Sequence, residues 1–161
     1  MNINEILLLN HDQIDYASLL DETLKSLALS EDMFIATSAL AELARRKSSL
    51  AASVAYNILD ESLGDSFLRS EALETLFDVD RERALAYIGT HARFADSSLV
   101  RTMMALMVEN SAIFHVVSAA STTRAVTQRV NELDAPGIAL DPMLHHDFQK
   151  LFPQKVHSRV G

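Results

Sequence analysis

The stretch that decides the fold runs from Asp65 to Leu76 and reads D-S-F-L-R-S-E-A-L-E-T-L. Two further segments align with it without gaps: D-M-F-I-A-T-S-A-L-A-E-L from Asp32 to Leu43, and S-S-L-V-R-T-M-M-A-L-M-V from Ser97 to Val108. The three copies are offset by 33 and 32 residues. Self-similarity at such a period is the signature of repeat proteins, in which one helical or strand-containing unit recurs along the chain.

Apolar residues recur four positions apart in every copy. The matching trios are Ile35, Ala39 and Leu43; Leu68, Ala72 and Leu76; and Val100, Met104 and Val108. Because a spacing of four keeps side chains on one helix face, each copy predicts an amphipathic helix, over residues 31–46, 65–78 and 97–109. Asp32, Asp65 and Asp96 stand where a carboxylate can accept from the free N–H groups of the first turn, so we expect them to be N-caps.

Weaker apolar patterns predict further helices over residues 13–28, 49–61, 81–92 and 112–133, with Gly64 at a helix C′ position. Asp141-Pro142 predicts a short last helix over 142–152, because proline is favoured in the first turn. Only 4 Gly and 3 Pro occur, as expected of helices with short connections. The strongest break is Ala135-Pro136-Gly137, and the tail 153–161 is expected to fray. We expect one domain spanning residues 1–161.

The Asp65–Leu76 stretch resembles the second helix of a HEAT repeat, whose pattern is Asp, then Val-Arg, then Ala and Leu; Leu99-Val100-Arg101 repeats it. The resemblance covers residues 12–110. It implies an all-α fold, a right-handed α-α superhelix of about four antiparallel helix pairs, at about 12–46, 49–78, 80–109 and 111–152. It also implies a ladder of bonds between neighbouring repeats, formed here by Asp65, Arg69, Asp96 and Arg101. The first copy has Ala36 where that ladder needs Arg.

Charge is unevenly distributed along the chain, whose net charge is −8. Residues 1–78 carry 14 acidic and 5 basic side chains, whereas residues 79–161 carry 8 and 9. An acidic half repels phosphate, which disfavours nucleic acid as a ligand, and attracts a basic protein, although ordinary solubility charge would look the same. With no Cys, no secretory leader at Met1–Asn10 and no long apolar run, we expect a cytoplasmic protein that is not bound to a membrane.

Residue patterns that carry catalysis are missing from the sequence. No phosphate-binding glycine loop, nucleophile elbow or H-E-x-x-H occurs. His145-His146-Asp147 has the composition of a metal site, but adjacent helical residues point about 100° apart, so a surface histidine pair is the stronger interpretation. Acid pairs such as Asp60-Glu61 are expected in solvated helix ends, where a raised pKa is not favoured. The sequence therefore predicts no enzyme, no cofactor and no metal.

Positions beside the buried stripe of the repeated helices would face a partner. They are acidic or polar in the first two copies and apolar in the third: Glu42, Glu71, Glu74 and Thr75, then Met103, Leu106 and Met107. Exposed methionine-rich surface is adaptable and suits binding. The alternative is that the helix over residues 142–152 covers the apolar residues, since a terminal repeat needs a cap.

The leading functional hypothesis is a non-catalytic protein that binds a basic partner through its acidic half. Its most concrete version is an immunity protein that neutralises a toxin such as a nuclease, with Glu42, Glu71 and Glu74 in place of substrate phosphates. The first alternative is an adaptor or assembly factor that uses the Met103–Met107 surface. The second, implied by the HEAT resemblance, is a lyase that attaches a bilin chromophore. The oligomeric state is left open.

Overall fold

A computed structural model describes residues 2–134 and 141–153, and every regular element in these two ranges is helical. The ten α-helices found there are α1 (Ile3–Ile6), α2 (Asp21–Ala28), α3 (Met33–Arg45), α4 (Ala51–Asp60), α5 (Ser66–Val79), α6 (Arg81–His91), α7 (Ser97–Glu109), α8 (Ser111–Phe114), α9 (Ala120–Asp134) and α10 (Pro142–Leu151). Short 3-10 turns span His11–Gln13, Tyr16–Ser18, Ala92–Phe94 and Val117–Ala119. The all-α prediction is confirmed. The predicted break at Ala135–Gly137 and the tail after Pro153 lie outside the described residues.

The three repeated helices form where the sequence places them. Asp32, Asp65 and Asp96 are their N-caps, and each carboxylate accepts hydrogen bonds from N–H groups of the first turn. Eight of the nine residues in the predicted stripes are buried, and Val108 is half-buried. In the described part of the chain, no helix is both long enough and apolar enough to cross a membrane.

Residues 13–20 are not α-helical, so the predicted helix over 13–28 is reduced to α2. Arg46 explains the difference. Its guanidinium donates to the carbonyl oxygens of Leu19 at 2.6 Å, Tyr16 at 2.8 Å and Ala17 at 3.0 Å. It also donates to the Asp21 carboxylate at 3.0 Å, and the Ser48 hydroxyl donates to the same carboxylate at 2.5 Å. A side chain from α3's end thus satisfies carbonyls that a helix would have used internally.

The predicted helix over 112–133 is also interrupted. Val116 is extended, with ψ 151°, and separates α8 from the 3-10 turn that leads into α9. The carbonyl oxygen of Phe114 accepts from the Thr123 hydroxyl at 2.8 Å. The two consecutive β-branched residues Val116 and Val117 lower helix propensity at the break.

Gly64 has φ +68°, but it is not the C′ residue of α4. That position belongs to Ser62, with φ 51°, two residues earlier. The Leu63 N–H donates to the Ile58 carbonyl at 2.9 Å and the Ser62 N–H to the Leu59 carbonyl at 3.2 Å, which is a Schellman motif. Gly64 stands directly before the Asp65 cap, where a side chain would collide with Leu68.

The chain divides into two compact units, Met1–Ala84 (unit 1) and Leu85–Gly161 (unit 2). In unit 1, α2 packs against α3, and α4 packs against α5. In addition α3 contacts α5, and α2 contacts α4. The core between these helices is aliphatic apart from one aromatic ring, and its largest members are Leu24, Leu27, Ile35, Leu40, Leu43, Ile58, Leu59, Leu68 and Phe77.

Unit 2 is organised around α7, which packs against α8, α9 and α10. The predicted fourth pair would have joined 112–133 with 142–152, but α10 packs chiefly against α7. Gly89 of α6 permits a close approach to α9: a Cβ there would lie 2.8 Å from the Thr122 hydroxyl oxygen. That hydroxyl donates to the Leu85 carbonyl at 3.2 Å.

Candidate functional site

Two exposed phenylalanines stand at equivalent positions of the first two repeats. Phe34 and Phe67 each come two residues after the capping aspartate of their helix, and they are 70% and 61% exposed. The cap fixes the turn that carries them: the Asp32 carboxylate accepts from the Phe34 N–H at 3.0 Å, and the Asp65 carboxylate from the Leu68 N–H at 2.9 Å. The equivalent residue of the third copy, Leu99, is buried. This aromatic pair is therefore a feature of unit 1.

A groove of about 320 Å³ lies between the two helix N-termini. Its lining combines apolar side chains with two hydroxyls and a carboxylate: Met33, Phe34, Thr37, Ser38, Asp65 and Phe67. The His11 ring stacks on Phe34, with ring centroids 5.8 Å apart and planes at 27°. We call His11 and the six lining residues the Phe34–Phe67 surface. Large aromatic residues are normally buried, so two that share one concave site indicate a binding surface.

Tyr16 lies next to this region, beside Ser38 and Asp32, without lining the groove. Burial raises the pKa of its phenol, and the charge of Asp32 raises it further, while the Ser38 hydroxyl acts in the opposite direction. The phenol therefore stays protonated at neutral pH, and its buried oxygen is not open to a ligand.

The electrostatics of unit 1 favour a cationic ligand. Its sequence holds 16 acidic and 7 basic residues, a net charge of −9. Asp65 lines the groove, and the exposed Asp32 caps the helix that carries Phe34. A guanidinium or ammonium group over an aromatic face is attracted by the ring quadrupole, and a nearby carboxylate strengthens that attraction. The surface can thus accept an apolar side chain together with a basic one.

Glu42 does not present a free acid to a partner. Its carboxylate accepts from the Arg45 Nε at 2.8 Å and from the Arg46 Nε at 2.9 Å. These two arginines lower the pKa of Glu42 to about 2, and only 11% of its side chain is exposed. Glu42 is instead part of the cluster through which Arg46 holds residues 16–21.

The other acids predicted to bind a partner lie on α5. Glu74 is exposed and Glu71 is half-buried, so both carboxylates can be reached from solvent, and binding by them stays a prediction. Thr75 is buried, which is a correction: its side chain faces the core of unit 1 rather than a partner.

Met103, Leu106 and Met107 are not an exposed docking patch. All three are buried in unit 2, with Met103 and Met107 wholly inaccessible to solvent. Because α10 packs on α7, the structure agrees with the alternative in which the helix over residues 142–152 covers these apolar residues. A 3.6-residue periodicity marks only one face of a helix, and α7 is surrounded on more than one side, so the positions beside its stripe are also core.

The predicted ladder residues have local roles in the structure. Asp65 and Asp96 are N-caps, and the Arg69 guanidinium donates to the carbonyl oxygens of Gly64 at 3.2 Å and Ser62 at 3.4 Å. Arg69 thereby ties α5 to the turn that precedes it. Arg101 is exposed on α7. Bonding between neighbouring repeats stays a prediction.

Residues 2–134 and 141–153 contain no group of three or more His, Asp or Glu side chains placed to hold a metal ion. His145 is half-buried and His146 exposed on α10.

Sequence reasoning missed Phe34 and Phe67, although a signal was present. Both residues occupy the same column of the repeat alignment, one place before the first residue of the buried stripe. No preceding turn of the helix covers a residue of the first turn, so Phe34 and Phe67 stay exposed, whereas Leu99 in the same column is buried by the packing of unit 2. An aromatic residue repeated in that column is therefore an expected surface feature.

Comparison with protein-family models, with curated proteins and with solved structures finds no match for this chain.

Proposed function

We propose that this protein is a non-catalytic, cytoplasmic binding protein that holds a basic partner protein on the Phe34–Phe67 surface. The observation that carries the proposal is the pair of exposed phenylalanines at matching repeat positions, set beside Asp65 in the most acidic part of the chain. Interface energy concentrates in a few large side chains surrounded by polar groups, and this surface has that composition.

Inhibition of a toxin is the most concrete form of this function. A toxin that acts on nucleic acid must be basic where it contacts phosphate, and an acidic inhibitor competes for the same residues. In this proposal Phe34 and Phe67 supply the apolar anchors, while Glu71 and Glu74 guide the approach. Glu42 has no part in it because its charge is already compensated by Arg45 and Arg46.

The packing of unit 1 supports a HEAT-like arrangement for its two helix pairs. First helices contact each other, α2 with α4, and second helices contact each other, α3 with α5. Stacking of like helices in successive pairs is how α-solenoids bury their cores. The adaptor alternative is disfavoured, since the Met103–Met107 surface that it required is buried.

Capture from the native host tests the proposal directly. Wild-type protein, the double variant F34E/F67E and the control F94E serve as baits, and Phe94 is an even more exposed phenylalanine of unit 2. We expect a basic protein that wild type and F94E retain and that F34E/F67E loses. The purified partner should then bind F34E/F67E at least about tenfold more weakly, the effect of losing one anchor residue. Retention of the same proteins by F34E/F67E would refute the assignment of the surface.

The role of charge is tested with that purified partner by stopped-flow association. E71K/E74K should slow association at low salt, and the difference from wild type should shrink as the ionic strength rises. D60K/E61K, which makes the same change of charge at the exposed end of α4, is the matched control. Equal slowing in both variants would mean that only net charge matters, and an unchanged rate in E71K/E74K would exclude the guiding role.

A further inference from the structure

A second concave site lies in unit 2, at the break between α8 and α9. It has a volume of about 510 Å³, within the range of small-molecule pockets. Its walls come from the chain around the break, from one face of α9 and from the end of α10: Phe114, His115, Val116, Val117, Ala120, Thr123, Arg124, Thr127, Leu151, Phe152 and Pro153. Val116 is extended at the break, and Val116 and Val117 both line the site.

The walls of this pocket are mostly apolar. Val117 is 92% exposed and Val116 about half exposed, although valine is among the residues most often buried. At the opposite end the His115 ring stacks on Phe152, with centroids 4.5 Å apart and planes at 15°. Phe148 holds Phe152 in turn, with centroids 5.3 Å apart. The aromatic end is therefore firmly supported, while the valine side is open to a ligand.

Arg124 provides the one full charge among the residues that line the pocket. Its guanidinium is exposed and has no hydrogen-bond or ion-pair partner within the described residues. The Thr123 hydroxyl already donates to the Phe114 carbonyl at 2.8 Å, and the Thr127 hydroxyl to the Arg124 carbonyl at 2.9 Å. Apart from the exposed His115 imidazole, donation to a ligand is thus left to Arg124, the residue with a permanent charge. A guanidinium matches a carboxylate with two parallel hydrogen bonds.

We propose that this pocket binds a small amphipathic carboxylate. Its hydrocarbon body lies against Val116, Val117 and Leu151, and its carboxylate pairs with Arg124. The charge balance fits an anion, since unit 2 holds 6 acidic and 7 basic residues, in contrast to the strongly acidic unit 1. The site shares no residue with the Phe34–Phe67 surface and stands independently of the function proposed for that surface.

Isothermal titration with decanoate and 1-decanol, both below their aggregation concentrations, tests the site. Wild type should bind decanoate saturably with one molecule per chain. R124Q should weaken decanoate binding about tenfold and leave 1-decanol binding unchanged, because only the acid uses the guanidinium. V117D should weaken the binding of both decanoate and 1-decanol, since it places a carboxylate on the apolar wall. Each variant is checked by circular dichroism, and both substituted side chains are exposed.

R93Q is the matched control, because Arg93 is an exposed arginine of unit 2 that does not line the pocket. It should bind decanoate like wild type. Three results would overturn the proposal: no saturable decanoate binding, a loss in R93Q equal to that in R124Q, or a decanoate affinity that R124Q leaves intact. In the last case a neutral apolar ligand would be the better assignment.

Discussion

Lys47 and Ser62 each follow the last turn of a helix in a left-handed backbone conformation, with φ 53° and 51°. At Lys47 the Schellman bonds are complete: the Ser48 N–H donates to the Leu43 carbonyl and the Lys47 N–H to the Ala44 carbonyl, both at 3.0 Å. Left-handed geometry costs an L-residue about 1–2 kcal/mol, a penalty that glycine avoids. In both turns the residue therefore adopts a positive φ although a non-glycine residue prefers a negative one.

Replacing Lys47 by glycine should stabilise the protein. The relief of left-handed strain exceeds the added entropy of the unfolded chain, so we expect a net gain of about 0.5–1 kcal/mol in the free energy of unfolding. Urea denaturation at neutral pH measures it. K47A is the control and should give no comparable gain, because alanine keeps the Cβ that causes the strain. A K47G protein no more stable than wild type would contradict the interpretation.

Glu42 should make stability depend on pH in the acid range. Its pKa is lowered from 4.5 to about 2 by hydrogen bonds from Arg45 and Arg46, so the folded state favours the charged carboxylate. The stabilisation is complete above the unfolded pKa of 4.5 and is lost as the pH falls from there towards 2.

Denaturation of wild type and E42Q between pH 2 and 6 checks this dependence. We expect E42Q to be less stable at pH 6 and the difference to diminish as the pH falls, because protonated Glu42 resembles glutamine. Asp21, whose pKa is also lowered, by Ser48 and Arg46, titrates in both proteins. A difference in stability that stays constant across this range would show that Glu42 contributes no charge-dependent stability.

At the scale of elements, the repeated helices could be predicted because two local signals agree. The apolar spacing of four and the capping aspartate both begin at Asp32, Asp65 and Asp96, and α3, α5 and α7 start directly after them. Segments 13–20 and 115–119 were mispredicted because their conformation depends on side chains outside them. The Arg46 guanidinium donates to carbonyl oxygens of the first segment, and the Thr123 hydroxyl donates to the carbonyl oxygen of Phe114, directly before the second. No pattern local to either segment reports those donors.

Burial of α7 beneath α10 predicts that two methionines contribute very differently to the free energy of unfolding. M107A should lower the free energy of unfolding by about 2–4 kcal/mol, because it removes a wholly buried side chain. M143A should change it by less than about 0.5 kcal/mol, because Met143 on α10 is 77% exposed. Chemical denaturation of both variants measures the two values. A nearly neutral M107A would mean that α7 is accessible in solution.

At the scale of the whole molecule, the division of charge was visible in the sequence. The acidic part of the chain, 1–78 in the sequence, corresponds closely to unit 1, which ends at Ala84. Composition therefore indicated which part would attract a basic partner. It could not indicate that the Glu42 carboxylate accepts hydrogen bonds from both Arg45 and Arg46.

Neither candidate site could be located fully from the sequence. The alignment contained Phe34 and Phe67 in one column, but the groove between them depends on how α3 and α5 pack. The pocket beside Arg124 depends on the break at Val116, in a segment that the sequence predicts as one helix. Surface shape follows from tertiary packing, and a periodic pattern reports only which face of an element is buried.

The Arg46 guanidinium has a consequence for the order of events during synthesis. The carbonyls that it binds belong to Tyr16, Ala17 and Leu19, which the ribosome releases 27–30 residues before it releases their donor. The amino-terminal segment therefore cannot form these hydrogen bonds until the end of α3 has left the ribosome. These hydrogen bonds form only after the first helix pair has been synthesised. In a nascent chain arrested before residue 46, this segment should therefore be accessible to proteases.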